Sequence, residues 1–204
     1  MPIKEIELIS FRNHGNTKMK FGDQVNVIWG PNGAGKTSVL EGIHLLSLGK
    51  SFKTSRNRDL LRAGDSHLSV TGVFFSDKRE MTVQCNQLAD GQRRFLINGK
   101  PLPRTRDLVG KNPVVVLSPE EQIITKGSPG DRRRYFNRIF SVLSREYLDV
   151  LSEYQRTLKQ RNALLQNARY LAGGELAAWD QSLVKQGFRL WNLRQQFIEL
   201  FQDE

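Results

Sequence analysis

Residues Gly30-Pro31-Asn32-Gly33-Ala34-Gly35-Lys36-Thr37 constrain this chain more than any other segment. They match GxxxxGK[ST], the phosphate-binding P-loop pattern. Gly33 and Gly35 let successive backbone N–H groups turn inward around phosphate oxygens, where a Cβ would obstruct the wrap. Lys36 sets a positive charge against the outer phosphates, and Thr37 offers a hydroxyl to Mg²⁺. The N-terminus of a following helix adds its aligned dipoles. Chance gives this pattern in roughly one 200-residue chain per hundred. The confirming context is a strand before it and a helix after it. Gln24 to Trp29 reads as a short apolar strand, and Val39, Leu40, Ile43 and Leu46 repeat at helical spacing after Lys36. A nucleoside triphosphate, with Mg²⁺ on Thr37, is the expected ligand. Gly30, Pro31, Asn32, Gly33, Ala34, Gly35, Lys36, Thr37 and Ser38 are the expected binding set.

The rest of the chain surrounds that motif with two kinds of pattern. Ile6 and Leu8 alternate with Glu5 and Glu7 before Phe11, as in a half-buried strand. His67 to Phe75, Glu80 to Cys85 and Arg93 to Ile97 are short β segments separated by polar turns, and Asn98-Gly99 is a hairpin signal. This predicts an antiparallel meander inserted after the first helix. Val114 to Leu117 is fully apolar and reads as a central strand. The remainder is helical. Ser128 suits a cap, Pro129 the first helical position and Asp131 the first turn. Tyr135, Phe136, Ile139, Phe140 and Leu143 then form one apolar face. Tyr147, Leu151, Tyr154 and Leu158 begin a longer helix. Gly173-Gly174 breaks the pattern, and Leu176, Trp179, Leu183, Leu190, Trp191, Phe197 and Phe201 resume it, which predicts a helical hairpin of core or partner-packing residues.

Composition excludes several classes. The 204 residues are 38% hydrophobic and 25% charged, which argues against wholesale disorder. No apolar run approaches the roughly 18 residues of a membrane span, and Met1 to Glu5 begins no signal-peptide core, so a cytoplasmic protein without membrane contact is expected. The single Cys85 excludes an internal disulfide, and with His14, His44 and His67 it forms no recognisable metal set. The formal charge of +10 points to an acidic partner, most simply nucleic acid. Between Lys50 and Arg138 stand 18 basic and 9 acidic residues, against 13 and 12 in the rest, so the basicity belongs to the middle of the chain.

Hydrolysis needs more than a P-loop. An acid at the end of a neighbouring strand must hold Mg²⁺, and a further group must position water. Val114 to Leu117 runs into Ser118-Pro119-Glu120-Glu121, where Glu120 could be that acid but Pro119 bends the chain before it.

Several segments, taken together, resemble one family. They are Phe11-Arg12-Asn13, GPNGAGKTSVLEGI (Gly30 to Ile43), GKSFKTSRNRDLLR (Gly49 to Arg62), SPE (Ser118 to Glu120), KGSPGDRRRYF (Lys126 to Phe136) and LKQRNALL (Leu158 to Leu165). They resemble the N-terminal part of the RecF family of bacterial DNA replication and repair proteins, in the SMC-like branch of the ABC ATPases. The P-loop alone is generic, whereas its combination with SFKTSRNRDL and KGSP..RR is specific. The resemblance implies an α/β P-loop NTPase. Residues 1–140 would be part of an ABC/SMC-like head with a β meander, and residues 141–204 a helical hairpin arm. It also implies ATP-dependent head-to-tail homodimers, with each ATP held by the P-loop of one subunit and the signature segment of the other. Such dimers would engage single-stranded and duplex DNA and gap junctions. They would assist recombinase loading with RecR and RecO in replication and the SOS response, and would be weak DNA-dependent ATPases at full length. Carried over, Arg12 and Asn13 would lie beside the nucleotide, and Glu120 in a nucleotide-sensing linker. The chain shows no signature segment and no apolar strand followed by paired acids. It is therefore expected to be a piece of a longer ATPase that binds ATP without efficient hydrolysis.

The basic residues divide by context. Lys53, Arg56, Arg58 and Arg62 have loop composition with little acidic compensation and read as DNA phosphate or interface contacts. Arg132, Arg133 and Arg134 occupy a helix first turn, where the dipole disfavours cations by about 0.3–1 kcal/mol each. Either DNA or pairing with Glu120, Glu121 or Asp131 accounts for Arg132 and Arg133. Arg93, Arg94, Lys100, Arg104 and Arg106 flank the hairpin and read as solvated. No base-reading motif is visible, so salt-dependent backbone binding is expected. Two other functions remain open: a stand-alone P-loop kinase with Glu120 as its acid, and a DNA-binding module alone.

Overall fold

Strand β1 (Ile3–Phe11) folds back on β2 (His14–Lys20) through a turn of only Arg12 and Asn13, with Phe11 paired to His14 and Arg12 at φ 57. The computed structural model describes residues 2–76, 79–117, 127–166 and 175–202, in two compact units, Met1–Val116 and Leu117–Glu204. In the first unit β3 (His67–Ser76), β4 (Arg79–Leu88), β5 (Arg93–Ile97) and β6 (Lys100–Pro101) complete an antiparallel sheet of order β2-β1-β3-β4-β5-β6. The predicted meander is present. Asn98 and Gly99, at φ 49 and 75, make its last turn.

Period-two alternation sends one set of side chains to one face of this sheet. Ile6, Leu8, Val70, Phe74, Val83, Cys85 and Phe95 are buried there with Val39, Leu45 and Leu46 of helix α1 (Lys36–Leu48). The apolar spacing after Lys36 is thus what seats α1. Burial pushes the Cys85 thiol up to about 12, against a smaller opposing pull from Arg93, so it packs as an inert apolar group.

Two expected strands did not form. Gln24 to Trp29 and Val114 to Leu117 have no ladder partner among the described residues. A strand exists only through its neighbours' hydrogen bonds, so an apolar run without them stays extended and wet. Val25, Val27 and Trp29 are 88%, 78% and 88% exposed, while Ile28 between them packs on the core. The purified chain is therefore expected to bind the dye ANS. Val25→Lys with Trp29→Lys should lower that fluorescence severalfold, and an unchanged signal would mean that these side chains are covered in solution. Strand β2 escaped sequence reading because Asn16, Thr17, Lys18 and Lys20 suit an edge and leave little apolar alternation.

The second unit contains α2 (Pro129–Leu143), α3 (Arg145–Gln166) and α4 (Glu175–Gln202). Ser128 and Asp131 form a reciprocal capping box with Pro129 in the first turn, as the sequence predicted. Hydrogen bonds from Ser128 hold the Asp131 carboxyl below its ordinary range, with a further contribution from Arg134. Helices α3 and α4 run antiparallel, tied by Arg161–Asp180 at one end and Arg189–Glu146 at the other, so the hairpin is present. Its expected break at Gly173-Gly174 lies outside the described residues. Phe140, Tyr147, Val150, Leu151 and Leu190 make the core, with Phe197 stacked on Phe140 at 4.8 Å. The predicted α2 face is only partly buried: Phe140 is enclosed, whereas Phe136 and Leu143 are exposed, as is Trp191 on α4. Among the described residues no helix is long and apolar enough to cross a membrane.

Candidate nucleotide-binding site

The β1–β2 turn and the N-terminus of α1 meet at one end of the sheet and enclose a pocket of about 540 Å³. Arg12, Asn13, Asn32, Gly33, Gly35, Lys36, Thr37 and Ser38 line it, joined by Lys53, Asp59 and Leu61. The loop has the backbone the sequence demanded. Gly30, Gly33 and Gly35 lie at φ 148, 83 and 92. At Gly35 a Cβ would stand 2.4 Å from His14 Nε2 and 2.8 Å from Asn13 Oδ1, so this position is closed to every other residue.

Two side chains of the β1–β2 hairpin hold the loop. Asn13 Nδ2 donates to Gly33 O at 2.7 Å. His14 Nε2 lies 3.2 Å from Gly35 O and its Nδ1 2.9 Å from Thr17 Oγ1. The Arg12 guanidinium is committed elsewhere. Its Nε and Nη2 donate to the two carboxylate oxygens of Glu41 at 2.8 and 2.6 Å, and its Nη1 to Asp59 O at 2.7 Å. That hydrogen bonding to Glu41, against partial desolvation, raises the Arg12 pKa further above its ordinary value. Glu41 is fully buried on α1 and also accepts from Ser51 Oγ. The Ser51 hydroxyl in turn accepts from the backbone N–H of Lys53 and of Thr54 at 2.8 and 3.1 Å.

The residues present fit a phosphate with its metal. Among the described residues, the backbone N–H groups of Gly33, Gly35, Lys36 and Thr37 donate to no protein atom, and Thr37 Oγ1 has no protein partner. Lys36 Nζ donates to Gly30 O and Pro31 O, both at 2.8 Å, and so lies over its own loop. Pro31 and Ala34 shape the loop through the Ala34 N to Pro31 O bond at 3.3 Å and do not line the pocket. Glu120 lies outside the described residues.

Sequence reading missed Glu41, Asp59 and His14, and it read Lys53 as a DNA phosphate or interface contact. The structure sets Lys53 in the pocket wall beside Asp59, whose carboxylate accepts from Thr54 Oγ1 at 2.6 Å. Arg56, Arg58 and Arg62 are exposed outside the pocket, with Arg58 Nε donating to Asp90 O at 3.3 Å. Arg93, read as solvated, is half-buried against Asn57, and desolvation lowers its pKa. Arg132 and Arg133 are exposed on α2, and Arg134 pairs with Asp131.

A glycine-rich loop leading into a helix, with a lysine and a hydroxyl lining the same pocket as the loop, defines a P-loop nucleotide site. Residues 5–204 match the family model described as AAA domain, and the chain belongs to that family. Within it, the resemblance to RecF holds along the whole chain. The DNA replication and repair protein RecF of Salinibacter ruber is 36% identical over 209 residues, which span 100% of this chain and 51% of that protein. A solved structure of the recombination mediator protein RecF-ATP in the RecFOR pathway superposes with a TM-score of 0.90 at 32% identity, over 97% of this chain and 54% of that one. A structure from work on ATP-driven dimerization and DNA stimulated activation of SMC ATPases shares the fold, with a TM-score of 0.56 at 23% identity over 67% of this chain and 98% of that one. The chain spans about half the length of the RecF relatives it matches.

Proposed function

We propose that this chain is the ATP-binding half of a RecF-type DNA repair factor, in which nucleotide binding governs self-association and DNA engagement. The observation that carries the reading is the pocket itself, where four backbone N–H groups, Lys36, Lys53 and Thr37 converge with no carboxylate among the described residues bonded to either lysine. Gly33 to Thr37 would wrap the phosphates, Lys36 and Lys53 would neutralise them, and Thr37 would take Mg²⁺. The metal supplies charge neutralisation between the phosphates when bound. Asn13 and His14 engage the Gly33 and Gly35 carbonyls of the loop. Support for the DNA role comes from the names of the relatives and from the exposed Arg56, Arg58 and Arg62. RecR and RecO as partners, and recombinase loading at gaps, rest on the relatives. The antiparallel sheet among the described residues gives no support to a small kinase built of alternating strands and helices.

The test pairs two titrations. A fluorescent ATP analogue with Mg²⁺ should bind, while steady-state hydrolysis stays below one turnover per minute. Duplex DNA should bind with an affinity that falls with salt. Arg56→Ala with Arg58→Ala and Arg62→Ala should flatten the slope of log K against log salt by roughly 0.9 per lost phosphate contact. Absence of analogue binding removes the nucleotide reading. An unaltered slope removes the assignment of these arginines.

A further inference from the structure

Outside the nucleotide site, the second unit holds a pocket of about 350 Å³ between α2 and α4. Arg132, Arg133 and Arg194 line it, over an apolar floor that includes Phe136, Phe140 and Ile198. Arg194 has an unusual setting. Its Nε donates to Tyr147 Oη at 3.1 Å and its Nη2 to Asn137 Oδ1 at 3.0 Å, while Tyr147 Oη donates to the same Asn137 oxygen at 2.6 Å. Tyr147 is fully buried, so these contacts fix the guanidinium in place. Both acceptors are neutral. Among the described residues no carboxylate pairs with Arg132, Arg133 or Arg194, for Asp131 is taken by Ser128 and Arg134. An arginine held rigid by neutral groups keeps its whole charge and its remaining donors for something else.

We propose that this pocket binds one unpaired nucleotide of a single-stranded nucleic acid, its phosphate on Arg194 and Arg133 and its base on the face of Phe136. Phe136 is 42% exposed and leans on Phe140 at 5.9 Å and 33°, so it presents a supported aromatic surface. A cationic rim beside such a surface is the chemistry of sequence-tolerant strand binding. A duplex keeps its bases stacked inside and has none to offer Phe136. The inference rests on the DNA reading above and narrows it to unpaired strands at this site.

The test compares three probes by fluorescence anisotropy on the whole chain: a dT 20-mer, a 20-mer of abasic sites and a 20-bp duplex. The dT strand should bind more tightly than the abasic one. Phe136→Ala should abolish that difference by weakening dT binding roughly 5- to 100-fold while leaving the duplex unaffected. Arg133→Ala should weaken the dT and abasic strands alike. Both side chains are exposed, and retained binding of the ATP analogue with an unchanged far-UV spectrum confirms folding. Equal binding of dT and abasic strands, or a Phe136→Ala variant with unchanged dT affinity, overturns the proposal. So does displacement of dT by poly-glutamate in wild type but not in Phe136→Ala, which would assign the pocket to acidic polypeptides. If the duplex still binds through Arg56, Arg58 and Arg62 in those cases, only this inference fails. If no nucleic acid binds, the DNA reading fails with it.

Discussion

Glu41→Ala is expected to lower the stability of the first unit by about 3 kcal/mol, at the low end of what breaking a buried ion pair costs. The substitution removes the carboxylate that both Arg12 Nε and Nη2 bond, and one that is wholly enclosed. Arg12 keeps some contact with water, which is why the low end applies. It also deprives Ser51 of its acceptor, and Ser51 organises the turn that carries Lys53 into the pocket. Thermal unfolding should shift downward by roughly 6–12 °C for a chain of this size. Glu41→Gln preserves the shape and an acceptor oxygen and should lose clearly less. A melting temperature within 1 °C of wild type for Glu41→Ala would show that the pair contributes nothing net.

Lys36→Ala should act in the opposite manner, leaving the free protein's melting temperature almost unchanged and weakening ATP binding about 100-fold. Each charge-assisted hydrogen bond from the ammonium to phosphate contributes about 1.5–3 kcal/mol. The bonds to Gly30 O and Pro31 O must be given up in exchange, which holds the loss to that range. Thermal shift separates the two variants. At a ligand concentration 100 times its dissociation constant, the wild type gains about 2.7 kcal/mol, and a variant binding 100-fold more weakly gains about 0.4 kcal/mol. An ATP-dependent shift of wild-type size in Lys36→Ala would place the phosphates elsewhere.

The sequence made some of these features legible because they are local. The P-loop is eight contiguous residues whose types follow from phosphate chemistry. The β3–β5 strands alternate with period two, and the Ser128–Asp131 cap is written within four residues. What stayed hidden depends on closure over distance. Asp59 and Lys53 enter the pocket because the backbone near Leu60 and Leu61 pairs with the β1–β2 turn, through Arg12 N to Leu60 O at 2.8 Å and Arg62 N to Ser10 O at 2.9 Å. No spacing rule links Arg12 to Glu41, 29 residues away, or Arg194 to Asn137, 57 residues away. The expected strands at Gln24 to Trp29 and Val114 to Leu117 failed for the reverse reason. Their apolar content is local, but their pairing is not.

The two margins of the six-stranded sheet are sealed against further strands. Lys18 and Lys20 stud β2, and β6 is only two residues, one of them proline. The segment Val25 to Trp29 has no such guard, and neither has Val115 to Leu117. Growth of β structure on this unit is therefore directional: the unpaired run that feeds the phosphate loop, and neither margin of the sheet, is the template left open to a further strand.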